Sequence, residues 1–129
     1  MINCKKMKIK SFKDLEVYQL SIVLAKEIYK LTEKLPREEK YIIRDQLIRA
    51  VTSIGANIAE GLGQDTTKEF IKFLYNSRGS LMEVEHFLNL SIELDYFKSE
   101  EIKEIENRCD ILGIKINNLI RALKKRLTT

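Results

Sequence analysis

Four stretches of this 129-residue chain place an apolar residue at every third or fourth position, and none alternates with the two-residue period of a strand. In the first, Val17, Ser21, Leu24, Ile28, Leu31 and Leu35 form a coiled-coil-like seam, widened by Tyr18, Ile22, Ala25 and Tyr29. The spacing predicts a helix over about 14–35, with Ser11 and Asp14 as a capping box. Pro36 can open the second helix, whose apolar pattern runs from Tyr41 to Leu62; Gly61 and Gly63 should stop it in the left-handed conformation. Thr66 and Glu69 form the capping box of a third helix, striped by Phe70, Phe73, Leu74, Ser77, Leu81, Val84, Leu88 and Ile92. After the break LDYFKSEE, Ser99 is the expected N-cap of a fourth, with Ile102, Ile105, Cys109, Leu112, Ile116, Leu119 and Leu123 along its seam. The connections are short, so neighbouring helices should pack antiparallel. The fold class is all-α: an up-down-up-down four-helix bundle in one domain, 1–129, with 1–11 as a basic tail.

Charge is distributed unevenly over this pattern. Residues 1–13 carry Lys5, Lys6, Lys8, Lys10 and Lys13 without an acid. Residues 111–129 carry Lys115, Arg121, Lys124, Lys125 and Arg126, again without an acid. These ten positive charges, set against a net charge of +4, leave the body between them at −6. In an antiparallel four-helix bundle both termini lie at one end, so the fold should gather the two basic runs into one patch. No apolar run is long enough for a signal peptide or a membrane span, and Cys4 and Cys109 do not make a disulfide framework. The expectation is a cytoplasmic protein with reduced thiols and no membrane partner.

The segment RAVTSIGANIAEG, 49–61, is unusual within the second helix. On a helical wheel Leu47, Val51, Ile54, Ile58 and Leu62 share one side, and Arg49, Ser53, Asn57 and Glu60 cluster opposite. A solvated face would account for that row, yet no lysine occurs from Tyr41 to Thr67, and Ala50, Thr52 and Ala56 fill the gaps. Short side chains among a few hydrogen-bonding ones suit a second contact surface, against another helix or another subunit. Gly55, and Gly79 in the third helix, each cost about 1 kcal/mol relative to alanine, which close helix approach would offset. The antiparallel register sets Arg49 near Gly79 and Glu83, and an Arg49–Glu83 pair is expected.

These residues carry a family resemblance. The chain resembles the four helix bundle protein family, which includes proteins encoded in intervening sequences of bacterial large-subunit ribosomal RNA genes. The resemblance runs from Phe12 to about Leu123. It rests on FKDLEVYQLS, on Pro36, Gln46, Arg49, Ala50, Ser53, Ile54, Asn57, Ile58, Ala59, Glu60 and Gly61, and on Gly79, Ser80, Leu81 and Glu83. Gly55 stands where proline is common in the family. The resemblance implies a homopentamer with no established enzymatic activity. It also implies kinship with the accessory protein of diversity-generating retroelements, a basic pentamer that engages nucleic acid and a reverse transcriptase.

Three function classes compete. In the first, the basic end binds RNA or DNA as a scaffold or accessory factor, with Lys5, Lys6, Lys8, Lys10, Lys13, Arg121, Lys124, Lys125 and Arg126 meeting phosphates. Lysine-rich ends also serve solubility alone, and the aromatic residues lie mostly on core stripes, which offers no base-stacking platform. The second is a protein-interaction or assembly module without nucleic acid. The third, catalysis, finds little support. Glu83 and His86 make half of a di-iron motif, but His86 is the chain's one histidine. Glu100, Glu101 and Glu104 resemble a magnesium-binding helix, yet acids at a helix start are better explained by the dipole. No Gly-rich phosphate loop, Cys–His pair or Ser–His–Asp set is present. The sequence therefore predicts a non-enzyme without metal or cofactor, in which Arg49, Ser53, Asn57, Glu60 and Glu83 form a structural or interface network.

Overall fold

The computed structural model describes residues 11–39 and 41–128. Four helices follow in order: α1 (Glu16–Thr32), α2 (Ile43–Leu62), α3 (Thr67–Glu93) and α4 (Ser99–Leu127). Short 3-10 turns at Phe12–Asp14 and Arg37–Glu39 precede α1 and α2. There are no strands among the described residues. The chain is an antiparallel four-helix bundle in which α2 packs on α1 and α3, and α4 closes the circuit between α3 and α1.

The core follows the predicted stripes, except that Phe73 and Ile92 of the third are only half-buried. Leu24, Ile28, Leu47, Ile54, Ile58, Phe70, Leu74, Val84, Ile102 and Ile116 are all sealed from solvent. The fourth stripe turns slightly from expectation: Ile120 is buried and Leu119 only half-buried. A straight helix turns 3.6 residues per turn rather than 3.5, so a strict heptad drifts off the seam over this length. Four hydroxyls sit inside the core, and each donates to a backbone carbonyl: Ser21 to Tyr18, Thr32 to Tyr29, Ser91 to Phe87 and Ser77 across to Ile54 of α2. Buried hydroxyls left unpaired would each cost about 1–3 kcal/mol, so these bonds are what make serine and threonine acceptable there.

Several helix ends differ from expectation. The Ser11–Asp14 box forms, but it caps the 3-10 turn; the first α-helix begins at Glu16. Pro36 opens a 3-10 turn, its carbonyl accepting from Glu39 N–H at 2.9 Å, and α2 begins only at Ile43. Thr66 caps α3 through its hydroxyl, which accepts from Glu69 N–H at 3.1 Å. Ser99 is the first helical residue rather than the cap; Lys98 precedes it, and its N–H is taken by the Glu101 carboxylate at 3.0 Å.

Neither Gly61 nor Gly63 is left-handed, and the single positive φ among the described residues belongs to Asp95, at 62° in the α3–α4 turn. Gly61 is required for space instead. A Cβ there would lie 2.7 Å from Phe73 Cβ and 2.8 Å from the Phe70 ring.

The two loops at the far end are tied together. Tyr96, in the α3–α4 turn, donates its hydroxyl proton to Glu39 Oε1 at 2.7 Å. Lys115 of α4 pairs with Glu16 of α1 at 3.4 Å, which sets the start of α1 beside the middle of α4, with the C-terminal half of α4 running on past it. The described ends of the chain therefore lie at the same end of the bundle.

Candidate nucleic-acid interface

Lys5, Lys6, Lys8 and Lys10 lie outside the described residues. Lys13 is exposed on the 3-10 turn, whose Phe12 packs edge-on against Tyr18 at 4.8 Å and lines the groove between α1 and α2. Arg121, Lys124, Lys125 and Arg126 are exposed along the end of α4. Lys124 turns toward α3, where its ammonium sits 5.0 Å from the centre of the Tyr75 ring. Thus Lys13 sits on the α1–α2 side, while Lys124 joins a group on the α3–α4 side.

That group contains residues sequence reasoning missed. The Arg78 guanidinium lies 4.7 Å over the same Tyr75 ring and donates through Nη1 to Asn117 Oδ1 of α4 at 2.9 Å. Tyr75 is half-buried. Its ring holds two cations, a favourable contact with the electron-rich π face. Tyr75 is thus one aromatic residue outside the core stripes on which most of them were expected to lie. The available signal was the register: Tyr75 and Arg78 share one face of α3, three residues apart, and the fold sets that face against the acid-free end of α4.

Further up the same α3–α4 seam the charge reverses. A cleft of about 440 Å³ is lined by Glu85, Asn89, Lys103, Glu106, Asn107 and Asp110. Burial, then Asp110 and Glu106, raise the Glu85 carboxyl above its ordinary range. Burial and the same acids, with Glu85 itself, push the Cys109 thiol up to about 12. A thiol so shielded is a core residue, not a nucleophile. Among the described residues no group of three or more His, Cys, Asp and Glu side chains could hold a metal ion. His86 is exposed and stacks edge-on against Phe87 at 4.9 Å.

The sequence profile of the 23S rRNA-intervening sequence proteins matches residues 13–118. The chain belongs to that family. Among solved structures it is similar to a protein of unknown function from the S23 ribosomal protein family of Bacteroides thetaiotaomicron, with 29% identity and a TM-score of 0.75. That match covers 81% of this chain and 95% of the other. No curated protein matches the chain. No helix among the described residues is long and apolar enough to cross a membrane.

In this member of the family the conspicuous segment of α2 divides between two neighbours. Thr52, Gly55, Ala56 and Ala59 line a shallow groove shared with α1. There Gly55 allows the close approach expected of it: an added Cβ would lie 2.9 Å from Ser21 Oγ and 3.5 Å from the Tyr18 ring. Ser53 instead borders α3, its Oγ accepting a hydrogen bond from the Ser80 hydroxyl at 3.0 Å, while Asn57 Nδ2 donates back to Ser53. Ala50 is in the core, and Glu60 is exposed.

The Arg49–Glu83 pair does not form. One turn from the Ser53–Ser80 contact the two residues are level, but Arg49 donates to Gln46 of its own helix and both stay exposed. An in-helix partner one turn away costs less side-chain ordering than a reach across two helices. Gly79, unlike Gly55, faces open space, with nothing within 4 Å of an added Cβ.

Proposed function

We propose that this protein is a non-enzymatic, self-associating bundle that binds nucleic acid as a scaffold or accessory factor within the bacterial cytoplasm. The observation that supports this most is the segregation of charge along α3 and α4. The end of α4 from 111 onward is free of acids and meets Arg78 and Tyr75, whereas the acids gather around Glu85 and Asp110 farther up. Arg78 and Lys124, gathered apart from the Glu85–Asp110 acids, give phosphate a locally positive surface. Arg121, Lys125 and Arg126 at the end of α4 would add to it, with Lys5, Lys6, Lys8, Lys10 and Lys13 as separate phosphate contacts.

Self-association is the second part. Ile22, Val23 and Tyr29 of α1 are each more than a third exposed and line one depression on that helix, whose Ile22 and Ala25 also border the apolar α1–α2 groove. Contiguous apolar surface of this kind favours a protein contact. The family resemblance makes five copies the expected number, and a native mass near five times 15.1 kDa is the corresponding result.

The test is binding to structured RNA and duplex DNA over a salt series, beside a variant with the named lysines and arginines neutralised. Steep salt dependence in the wild type, lost together with affinity in the variant, supports the reading. No binding by either near physiological salt overturns it. The apolar groove would then favour the other reading, a protein-assembly module, tested by a pull-down after nuclease treatment.

A further inference from the structure

We infer that the nucleic-acid contact is a single phosphodiester strand running along the α3–α4 groove, gripped by Arg78, with Lys124 and Arg121 continuing the track toward the end of the bundle. This rests on the nucleic-acid reading above and names its site and ligand class.

Three observations carry it. First, Arg78 is held in position before any ligand arrives. A free arginine loses much of its rotamer freedom on binding phosphate. Arg78 is already fixed, by Asn117 at 2.9 Å on one nitrogen and by the Tyr75 ring 4.7 Å from its central carbon. The guanidinium has five N–H groups, and the bond to Asn117 leaves others for a planar, bidentate grip on phosphate oxygens.

Second, two like charges share one ring. With Arg78 and Lys124 at 4.7 and 5.0 Å from the same centroid, they lie within about one Debye length, roughly 10 Å, of each other. Among the described residues no carboxylate forms an ion pair with either. The ring offsets part of that repulsion, and an anion seated between the cations would remove the rest.

Third, Asn117, Arg121 and Lys124 recur at spacings of four and three, so they share one face of α4 and follow one another along its axis. From Asn117 to Lys124 is about two turns of α4, or roughly 10 Å. That is room for about two or three phosphates of one strand. Above it the track is closed by Glu85, Glu106 and Asp110, which repel a strand and set its direction toward the chain end. A B-form duplex presents two strands across grooves about 6 and 12 Å wide, and its second strand would miss this one-groove line.

The experiment measures affinity of the full-length protein for a short labelled oligouridylate and for a hairpin duplex with the same number of phosphates, across a salt series. The expected salt slope for the single strand is about −2, from roughly three phosphates at −0.7 each. Arg78→Gln should weaken binding about tenfold and flatten the slope by about 0.7. Arg78→Lys should recover part of the loss, since charge returns without the fork. Asn117→Ala should weaken binding about threefold with the slope unchanged, because it frees the guanidinium but removes no charge. Lys125→Gln, on the last turn of α4, should cost less than Arg78→Gln. Circular dichroism shows which variants keep the fold, and Arg78→Lys retains the test if Arg78→Gln does not. Equal losses in Arg78→Gln and Lys125→Gln, or a duplex bound as tightly as the single strand, overturn the inference and leave the broader reading standing. Absence of wild-type binding to either probe overturns both.

Discussion

The α1–α2 side and the α3–α4 side of this bundle are built on different physics. On the first, a glycine, alanines and aromatic rings fit by shape, with Gly55 under Ser21 and Tyr18. On the second, the outward groove is charged along its length, acidic around Glu85 and basic around Arg78 and Lys124. Packing of the first kind is indifferent to salt and pH and intolerant of added volume. The second tolerates volume and responds to charge. One small fold thus carries a face suited to close contact and a face suited to an ionic partner.

The sharpest test of this contrast lies just beneath the charged face. With its thiol pushed up to about 12, Cys109 should react with a thiol reagent about a thousandfold more slowly at pH 8 than an ordinary cysteine. A Cys4→Ser variant isolates that rate, and denaturant should restore it. Fast labelling in the native state would mean that the acidic side opens readily.

Next in size is the shape-built side. Gly55→Leu should destabilise the protein by about 1–3 kcal/mol, read from urea unfolding, because Ser21 and Tyr18 leave no space for the side chain. Gly79→Ala should do the opposite. Nothing lies near its Cβ, so the higher helix propensity should stabilise by about 1 kcal/mol. If Gly79→Ala instead destabilises, or breaks self-association, that open surface is covered in the assembled protein.

The smallest effect concerns pH. Glu85 has a raised carboxyl in the folded chain, so the folded state binds its proton more readily than the unfolded state. Stability from this group is therefore present below the ordinary carboxylate range and is lost as pH rises through the raised value. Glu85→Gln should be slightly more stable than wild type at neutral pH, by a few tenths of a kcal/mol, about the usual limit for surface changes. Its advantage should vanish toward pH 4, where wild-type Glu85 is itself protonated. An unchanged difference across that range would show that the acids of this face do not interact.

The helices were legible because each repeats its apolar spacing over several turns, so a local misplacement hardly alters the pattern. Ends were less legible. Ser11–Asp14 is a genuine capping box, but sequence does not distinguish a cap on a 3-10 turn from one on an α-helix. Gly61 and Gly63 looked like left-handed stops; Gly61 is there because two phenylalanines of the next helix crowd it. The candidate site was half legible. Lys124 and Arg121 stood out in an acid-free run, whereas Arg78, Tyr75 and Asn117 did not, since each is ordinary among its sequence neighbours.

Periodicity and local chemistry, both carried within a few turns of chain, determined four helices, their buried stripes, their antiparallel order and the common end of the termini. Which side chains meet between helices was decided only by the tertiary structure. Ser53 reached Ser80 while Arg49 stayed with Gln46, and Tyr75 came to hold two cations from different helices. Those outcomes turn on the rotation and separation of helices by an ångström or two. A spacing rule cannot carry that information, because helix–helix distance is set by all the side chains packed between them at once.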